Sequence, residues 1–399
     1  DGFAKAFKLI LLAGGALALL LVAEWEPKEG SHYRGEFAYM MLFALLGAMM
    51  TASSGDLLTL FVSIELLTVS SYVLAGLRKT ATASNEAALK YVINGGIATA
   101  IMLFGMSYVF GLTGRTNLGD IARELQETNE PYMLALAFLL LLIGVSFKLA
   151  TVPFHMWAPD VYEGAPVPAT AFFSVVSKTA GFVLLLRLFV TIFAAAPAEG
   201  RDPSSLLLSM QPVITVLAGL TMIIGNVVAL RQRSLKRLLA YSSIAHAGYL
   251  LAGFAAMSWA MIDSLWIYLL AYVFMNIGAF AIVAHIVNET GSDDLAGLAG
   301  LYRHRPLLAA ALGLFLLSLA GIPGTAGFIA KLYLFIGLVV TEPGHYVLAT
   351  VMAVTTVVSY VYYFNLLVQL FFRPASLAPL RRLPAGLSTA VVLCALGTL

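Results

Sequence analysis

Four ionisable side chains, Glu65, Lys148, Lys178 and Lys331, stand inside long apolar stretches of this sequence. Glu65 is flanked by Ile64, Leu66 and Leu67, too deep in its stretch to reach water. Lys148 lies in Ser-Phe-Lys-Leu-Ala-Thr-Val-Pro, and Lys331 in Gly-Phe-Ile-Ala-Lys-Leu-Tyr-Leu. Lys178 sits about 14 Å along its stretch from the nearer polar end, at 1.5 Å per helical residue. A charge at the centre of a bilayer costs roughly 2.5–3.5 kcal/mol on insertion scales, so each is a functional candidate by default. The residue types fit proton transfer. Low dielectric disfavours a charged amine, and a nearby carboxylate restores it. Shifting Glu65 relative to Lys148 would therefore switch whether the lysine holds a proton. A second lysine a few waters away could then accept it. Such a relay needs neither metal nor nucleophile.

Each residue also has a purely structural reading. Glu65 can be a static carboxylate satisfied by Ser and Thr hydroxyls. Lys148 and Lys331 can donate to carbonyls freed at helix breaks, and Lys178 can snorkel. Lys90, His155 and His246 are further relay candidates. Lys90 stands one turn from Glu86, the spacing of an ordinary ion pair. Imidazole titrates near neutrality and can carry protons, although a membrane histidine can equally be a packing residue. Arg187 is expected to snorkel outward, and Asp160 and Glu163 to cap a helix or face the cytoplasm.

The elements that must hold these groups follow from hydropathy. Of 399 residues, 60% are apolar and 11% charged, under half the charged fraction of a typical soluble domain. The net charge of +2 gives no reason to expect a nucleic-acid partner. A single cysteine, Cys394, excludes an internal disulfide framework and a multi-cysteine metal or iron–sulfur site. Spans of about 20 apolar residues are predicted near 7–23, 37–53, 57–77, 87–112, 132–150, 169–196, 211–230, 236–256, 264–287, 306–340, 345–372 and 385–399. The stretch 306–340 is too long for one helix and is interrupted by Gly321, Pro323, Gly324 and Gly327. The stretch 132–150 runs into Pro153 with apolar sequence beyond it. Both read as broken helices, tolerated at membrane depth only inside protein or facing water. Polar connections 113–131 and 288–305 read as loops, so residues 1–399 form one transmembrane domain. The missing initiator methionine and the apolar ends lead us to expect that both ends are truncated.

Lysine and arginine orient the spans. Lys28, Arg34, Arg78, Lys79, Arg231, Arg233, Lys236, Arg237, Arg303, Arg305, Arg373, Arg381 and Arg382 fall on one side. The other side has Lys5, Lys8, Arg115, Arg123 and Arg201. The first side is therefore cytoplasmic. An internal repeat is also legible. Gly47–Leu77 and Gly225–Phe254 share an opening Gly, a Ser-Ile step and a closing Tyr-x-Leu-Ala-Gly. The two breaks follow at similar distances, with Pro153 and Pro323 in matching roles. Matching helices run in opposite directions, the pattern of an inverted repeat, which places ion sites at such breaks. The two halves are expected over 38–196 and 211–372.

Specific strings then become recognisable. Val152-Pro153-Phe154-His155-Met156-Trp157-Ala158-Pro159-Asp160-Val161-Tyr162-Glu163-Gly164-Ala165-Pro166 resembles a signature of the antiporter-like membrane-arm subunits of respiratory complex I, the bacterial NADH-quinone oxidoreductase, and within them subunit N. Glu86-Ala87-Ala88-Leu89-Lys90-Tyr91, Leu239-Ala240-Tyr241-Ser242-Ser243-Ile244-Ala245-His246 and Gly321-Ile322-Pro323-Gly324-Thr325-Ala326-Gly327-Phe328 are similar to the same family. The resemblance implies an all-α polytopic fold with two inverted five-helix repeats, each containing a broken helix. It implies 14 spans, of which this chain would begin at the third and end within the fourteenth. It assigns Glu65 as the gating glutamate, Lys148 as the lysine of the first broken helix, Lys178 as the connecting lysine and Lys331 as the lysine of the second broken helix. It also implies a proton-translocating subunit in the bacterial plasma membrane, bound to other membrane-arm subunits and to lipid. NADH, FMN, iron–sulfur clusters and quinone would be held by partner subunits, with no redox centre or other cofactor on this chain. The alternative is a subunit of an Mrp-type cation/proton antiporter.

Overall fold

The computed structural model describes residues 1–23, 34–127, 130–193, 206–258, 260–342, 344–374 and 381–399. Lys28 and Arg201, counted above in orienting the chain, lie outside them. Among the described residues every regular element is helical. In chain order these are α1 (Gly2–Ala23), α2 (Arg34–Ser53), α3 (Leu57–Ala75), α4 (Thr82–Thr113), α5 (Leu118–Glu127), α6 (Pro131–Leu149), α7 (Trp157–Gly164) and α8 (Val167–Phe193). There follow α9 (Leu206–Ala229), α10 (Leu235–Ala256), α11 (Met261–Thr290), α12 (Pro306–Ala320), α13 (Ala326–Val340), α14 (Tyr346–Phe371) and α15 (Ala385–Thr398), with two single helical turns, Leu295–Leu298 and Leu301–His304, inside the connection 288–305 that was expected to be loop.

Ten described helices are long and apolar enough to cross a membrane. The pair α12–α13 and the shorter α15 account for the remaining predicted spans. The most apolar window of α10 is 94% buried and that of α11 83%, against 33% for α4. Helices that are apolar all round belong inside a bundle. So α10 and α11 form its centre together with α8, while α4 lies at the rim. Two π-helical stretches, Phe173–Ser177 and Leu186–Phe193, interrupt α8, and Lys178 directly follows the first. Such insertions often mark functional sites.

The connection 113–131, expected to be loop, contains the amphipathic helix α5. Leu118 and Ile121 are buried, whereas Asp120 and Arg123 pair in water at 2.7 Å. The signal was a helical spacing of apolar residues in a short segment of otherwise polar composition.

The inverted repeat has a register. Asp56 caps α3, its Oδ1 accepting from the backbone N–H of Leu58 (2.9 Å) and Thr59 (3.3 Å). Ser234 caps α10 in the same way, accepting from Arg237 N–H at 3.2 Å. Each cap also forms an isolated antiparallel bridge, Asp56 with Asn117 and Ser234 with Asp294. Both repeats have a close helix crossing. A Cβ on Gly47 would lie 2.5 Å from Leu67 N, and one on Gly225 2.7 Å from Ala245 N. All three matched pairs are separated by 178 positions (225 − 47, 234 − 56, 245 − 67). The Ser-Ile step is out of this register by two and the Tyr-x-Leu-Ala-Gly string by one. The helices run oppositely: Arg78, just past the end of α3, donates to Gly164 O at 3.1 Å, and Lys236, at the start of α10, donates to Glu163 O. Opposite ends of matched helices thus meet the same end of α7.

The two broken helices end their first halves identically. Ala150 (φ 56°) and Gly321 (φ 84°) adopt the left-handed conformation. Thr151 N–H donates to Ser146 O and Ile322 N–H to Leu317 O, each at 3.0 Å. This is the Schellman arrangement, which stops a helix without leaving its last turn unsatisfied. The matched residues are these caps. Pro153 and Pro323 follow them by three and two positions, so the prolines are one place out of register.

Candidate functional site

Lys148 occupies the last turn of α6, where the break at Ala150 leaves its side chain turned across the bundle toward α3. Its ammonium lies 3.2 Å from Glu65 Oε1 and 2.5 Å from Thr68 Oγ1. Glu65 and Thr68 are three residues apart and share one face of α3. Thr99 on α4 donates to the same Glu65 oxygen at 2.9 Å. The lysine side chain is 7% exposed and the glutamate 22%. Buried ions persist when paired and hydrogen-bonded, and this pair is both. The sequence allowed Lys148 to be only a donor patching the first break. Trp157 does that instead, its Nε1 donating to Phe147 O at 3.1 Å, while Val152 N–H just past the break donates to Thr221 Oγ1 at 3.0 Å.

Lys178 is buried at 3% exposure and does not snorkel. It donates to Ser243 Oγ at 2.5 Å and to the Ser243 carbonyl, and lies 5.6 Å from the centre of the Tyr272 ring. Among the described residues no carboxylate pairs with it. Next to Tyr272 stands His246, ring centres 5.1 Å apart, and next to His246 stands Tyr249 at 5.7 Å. The Lys331 ammonium lies 4.9 Å from the Tyr249 ring centre. The order Lys178, Tyr272, His246, Tyr249, Lys331 is therefore contiguous. His246 Nδ1 is 2.6 Å from Tyr268 OH, which fixes the imidazole plane.

Lys331 follows the second break and turns back over it. Its ammonium donates to Leu319 O (3.0 Å) and Ala320 O (2.9 Å), carbonyls of the last turn of α12. Gly321 makes room. It needs the left-handed conformation, and a Cβ there would lie 2.8 Å from Lys331 Cδ. The carbonyl-patching geometry considered for both lysines belongs to this one.

Lys90 joins a different group, at the end of the bundle where α4 begins. It pairs with Glu86 and with Asp160, each at 2.6 Å, and is 41% exposed. Arg237 on α10 pairs with Asp160 (2.8 Å) and Glu163 (2.6 Å). Asp160 and Glu163 thus tie α7 to both repeats, a role their sequence did not suggest. His155 lies half-buried in the first break and its side chain joins none of the four charged relay candidates. Arg187 reaches its own end of the bundle, where it pairs with Asp1 at 2.9 Å and donates to Ala52 O at 2.7 Å. Sequence reasoning missed Thr68, Thr99, Ser243 and the tyrosine rings. The i,i+3 spacing from Glu65 could have found Thr68, and the repeat register could have found Ser243. Nothing local marks Thr99.

The arrangement provides a carboxylate–ammonium pair in one repeat and two unpaired buried lysines bridged by rings and an imidazole toward the other. Comparison with known proteins shows the family. Residues 54–359 match the family described as NADH:quinone oxidoreductase/Mrp antiporter, transmembrane. The chain is 90% identical over its whole length to NADH-quinone oxidoreductase subunit N of Geobacillus kaustophilus (strain HTA426), of which it covers 80%. It resembles a chain of the respiratory complex I from Thermus thermophilus with bound aureothin (TM-score 0.81, 36% identity), covering 99% of this chain and 82% of that one. It also resembles a chain of the Mrp complex from Dietzia sp. DQ12-45-1b (TM-score 0.78, 25% identity), covering 96% and 69% respectively.

Proposed function

This chain belongs to the NADH:quinone oxidoreductase/Mrp antiporter transmembrane family, and on that premise we propose that it is the subunit N of a bacterial NADH-quinone oxidoreductase and moves protons across the plasma membrane. Its partners are the other membrane-arm subunits of the complex. The near-identity to a subunit N along the whole chain favours this over a free-standing Mrp-type antiporter, whose likeness is chiefly one of fold. NADH oxidation and quinone reduction, with their FMN and iron–sulfur groups, fall to partner subunits, and this chain contributes no redox centre.

The observation that carries the mechanism is the buried ion pair of Lys148 and Glu65 at 3.2 Å, set at a helix break. While paired, the ammonium is held by an opposite charge in low dielectric. Withdrawing Glu65 leaves the charge unsupported, so the proton moves on. Lys178 takes it, and His246 passes it toward Lys331, which releases it outside. Lys148 reloads from the cytoplasmic side. Ser177 Oγ, Thr179 Oγ1 and Asn276 Oδ1 are buried without a protein partner, the kind of atoms that ordered water satisfies. They flank or adjoin the Lys178 turn and fit water-assisted transfer. Lys90 belongs to the cytoplasmic mouth, and His155 has no assigned step.

The test is proton pumping by the purified complex in sealed vesicles, scored per NADH oxidised. Lys148→Ala and Glu65→Gln are expected to assemble normally and to pump fewer protons per NADH. Wild-type pumping by a fully assembled Lys148→Ala complex would sink the relay.

A further inference from the structure

The common register places Ser243 of α10 where α3 carries Glu65, and His246 where α3 carries Thr68. Both acceptors of Lys148 thus have counterparts in the second repeat, with the carboxylate replaced by a hydroxyl. The amine that arrives there comes from the other repeat. Lys178 of α8 donates to Ser243 Oγ at 2.5 Å and to the Ser243 carbonyl. Ser243 is 2% exposed, and Tyr162 OH lies 3.5 Å from its Oγ. Among the described residues no carboxylate forms an ion pair with Lys178 or Lys331, whereas Lys148 has one.

We propose that Ser243 is a positioning residue of the relay: it fixes the Lys178 amine at the position equivalent to Glu65 without holding its proton. A carboxylate at hydrogen-bond distance stabilises only the charged amine, and strongly so where water is excluded. A hydroxyl and a carbonyl accept an N–H from the charged and the neutral amine alike. The hydroxyl can also donate to the neutral nitrogen. Lys178 therefore stays in one place through both protonation states and can give its proton to the His246 side. A second carboxylate at this position would trap the proton halfway between the repeats. Only the repeat that carries Glu65 then contains a gate, and the second half is a conduit. This inference rests on the relay reading above.

The test compares Ser243→Asp with Ser243→Asn in the assembled complex in sealed vesicles, since the two side chains differ in charge and hardly in size. Ser243→Asn is expected to keep part of the wild-type pumping per NADH, and Ser243→Thr, with its retained hydroxyl, more of it. Ser243→Asp is expected to fall to the level of Lys148→Ala. A purely packing role would affect Asp and Asn equally. Equal behaviour of the two, whether both normal or both impaired, overturns the proposal. If Ser243→Asp does not assemble, Ser243→Glu against Ser243→Gln makes the same comparison. Normal pumping by Lys148→Ala would refute the relay itself. Loss in Lys148→Ala with no difference between Asp and Asn refutes only the role of Ser243.

Discussion

Gly321→Ala separates the geometry of the second break from the chemistry of the lysine above it. Gly321 has φ 84° and ψ 46°, a conformation that costs an L-residue roughly 1–2 kcal/mol. The first break shows that the fold accepts this strain, because Ala150 stands at the matching cap with φ 56° and ψ 43°. Against a total stability of about 5–15 kcal/mol, such strain alone leaves the subunit folded. The difference between the breaks is Lys331. The new Cβ would lie 2.8 Å from its Cδ, 3.4 Å from Cε and 3.3 Å from Nζ. The side chain must move, which is cheap for a flexible lysine, but its ammonium then leaves the Leu319 and Ala320 carbonyls. Hydrogen bonds to charged groups contribute about 1.5–3 kcal/mol each, so losing both removes most of what holds the ammonium there. Gly321→Ala is therefore expected to assemble and to lose proton pumping. The control is Ala150→Gly, which relieves about 1–2 kcal/mol of strain and gives back about 0.4–1 kcal/mol in chain entropy. It should raise stability by about 0–1.6 kcal/mol and leave pumping unchanged. Assembly is read from the yield of intact complex, and pumping from acidification of vesicles per NADH. Full pumping by Gly321→Ala, or equal loss in Ala150→Gly, would refute the reasoning.

Arg237→Gln removes the pairs that tie α7 to α10. Partly exposed pairs contribute about 0.2–1 kcal/mol each, so a total near 1 kcal/mol is expected, measured as heat stability of the complex. High salt should shrink the difference from wild type. Asp56 caps α3, and its carboxylate is held below the usual range by the Thr116 hydroxyl and then by the N–H groups of Thr59 and Leu58, against partial desolvation. Asp56→Ala should cost about 1 kcal/mol, whereas Asp56→Asn keeps the cap. A lowered folded-state value means that the charged cap contributes fully above the unfolded value near 3.9, and that its contribution fades as pH falls through the lower folded value. Heat stability of wild type and Asp56→Asn should therefore converge on acidification below about pH 4, and a gap that persists there would contradict this.

The spans and the four charges set within them were legible in the sequence because each is a local property. Twenty apolar residues must cross a bilayer, and a charge in an apolar run is costly wherever it ends up. The string around Pro153 and Trp157 pointed to the family for the same reason. What each charge touches was not local. Lys148 meets Glu65 across 83 positions and Lys178 meets Ser243 across 65. Lys331 turns onto carbonyls 11 and 12 residues upstream, which only the left-handed cap at Gly321 brings within reach. Sequence could name donors for the freed carbonyls at the two breaks but not say which lysine supplied them. It found the repeat through shared strings, yet the true register came from caps and glycine contacts, and that register is what sets Ser243 opposite Glu65. Composition and hydropathy thus determined that these ions are inside the membrane. Their partners depended on how two inverted halves pack, because a side chain in a dry bundle is satisfied only by whatever the neighbouring helices place within hydrogen-bond distance.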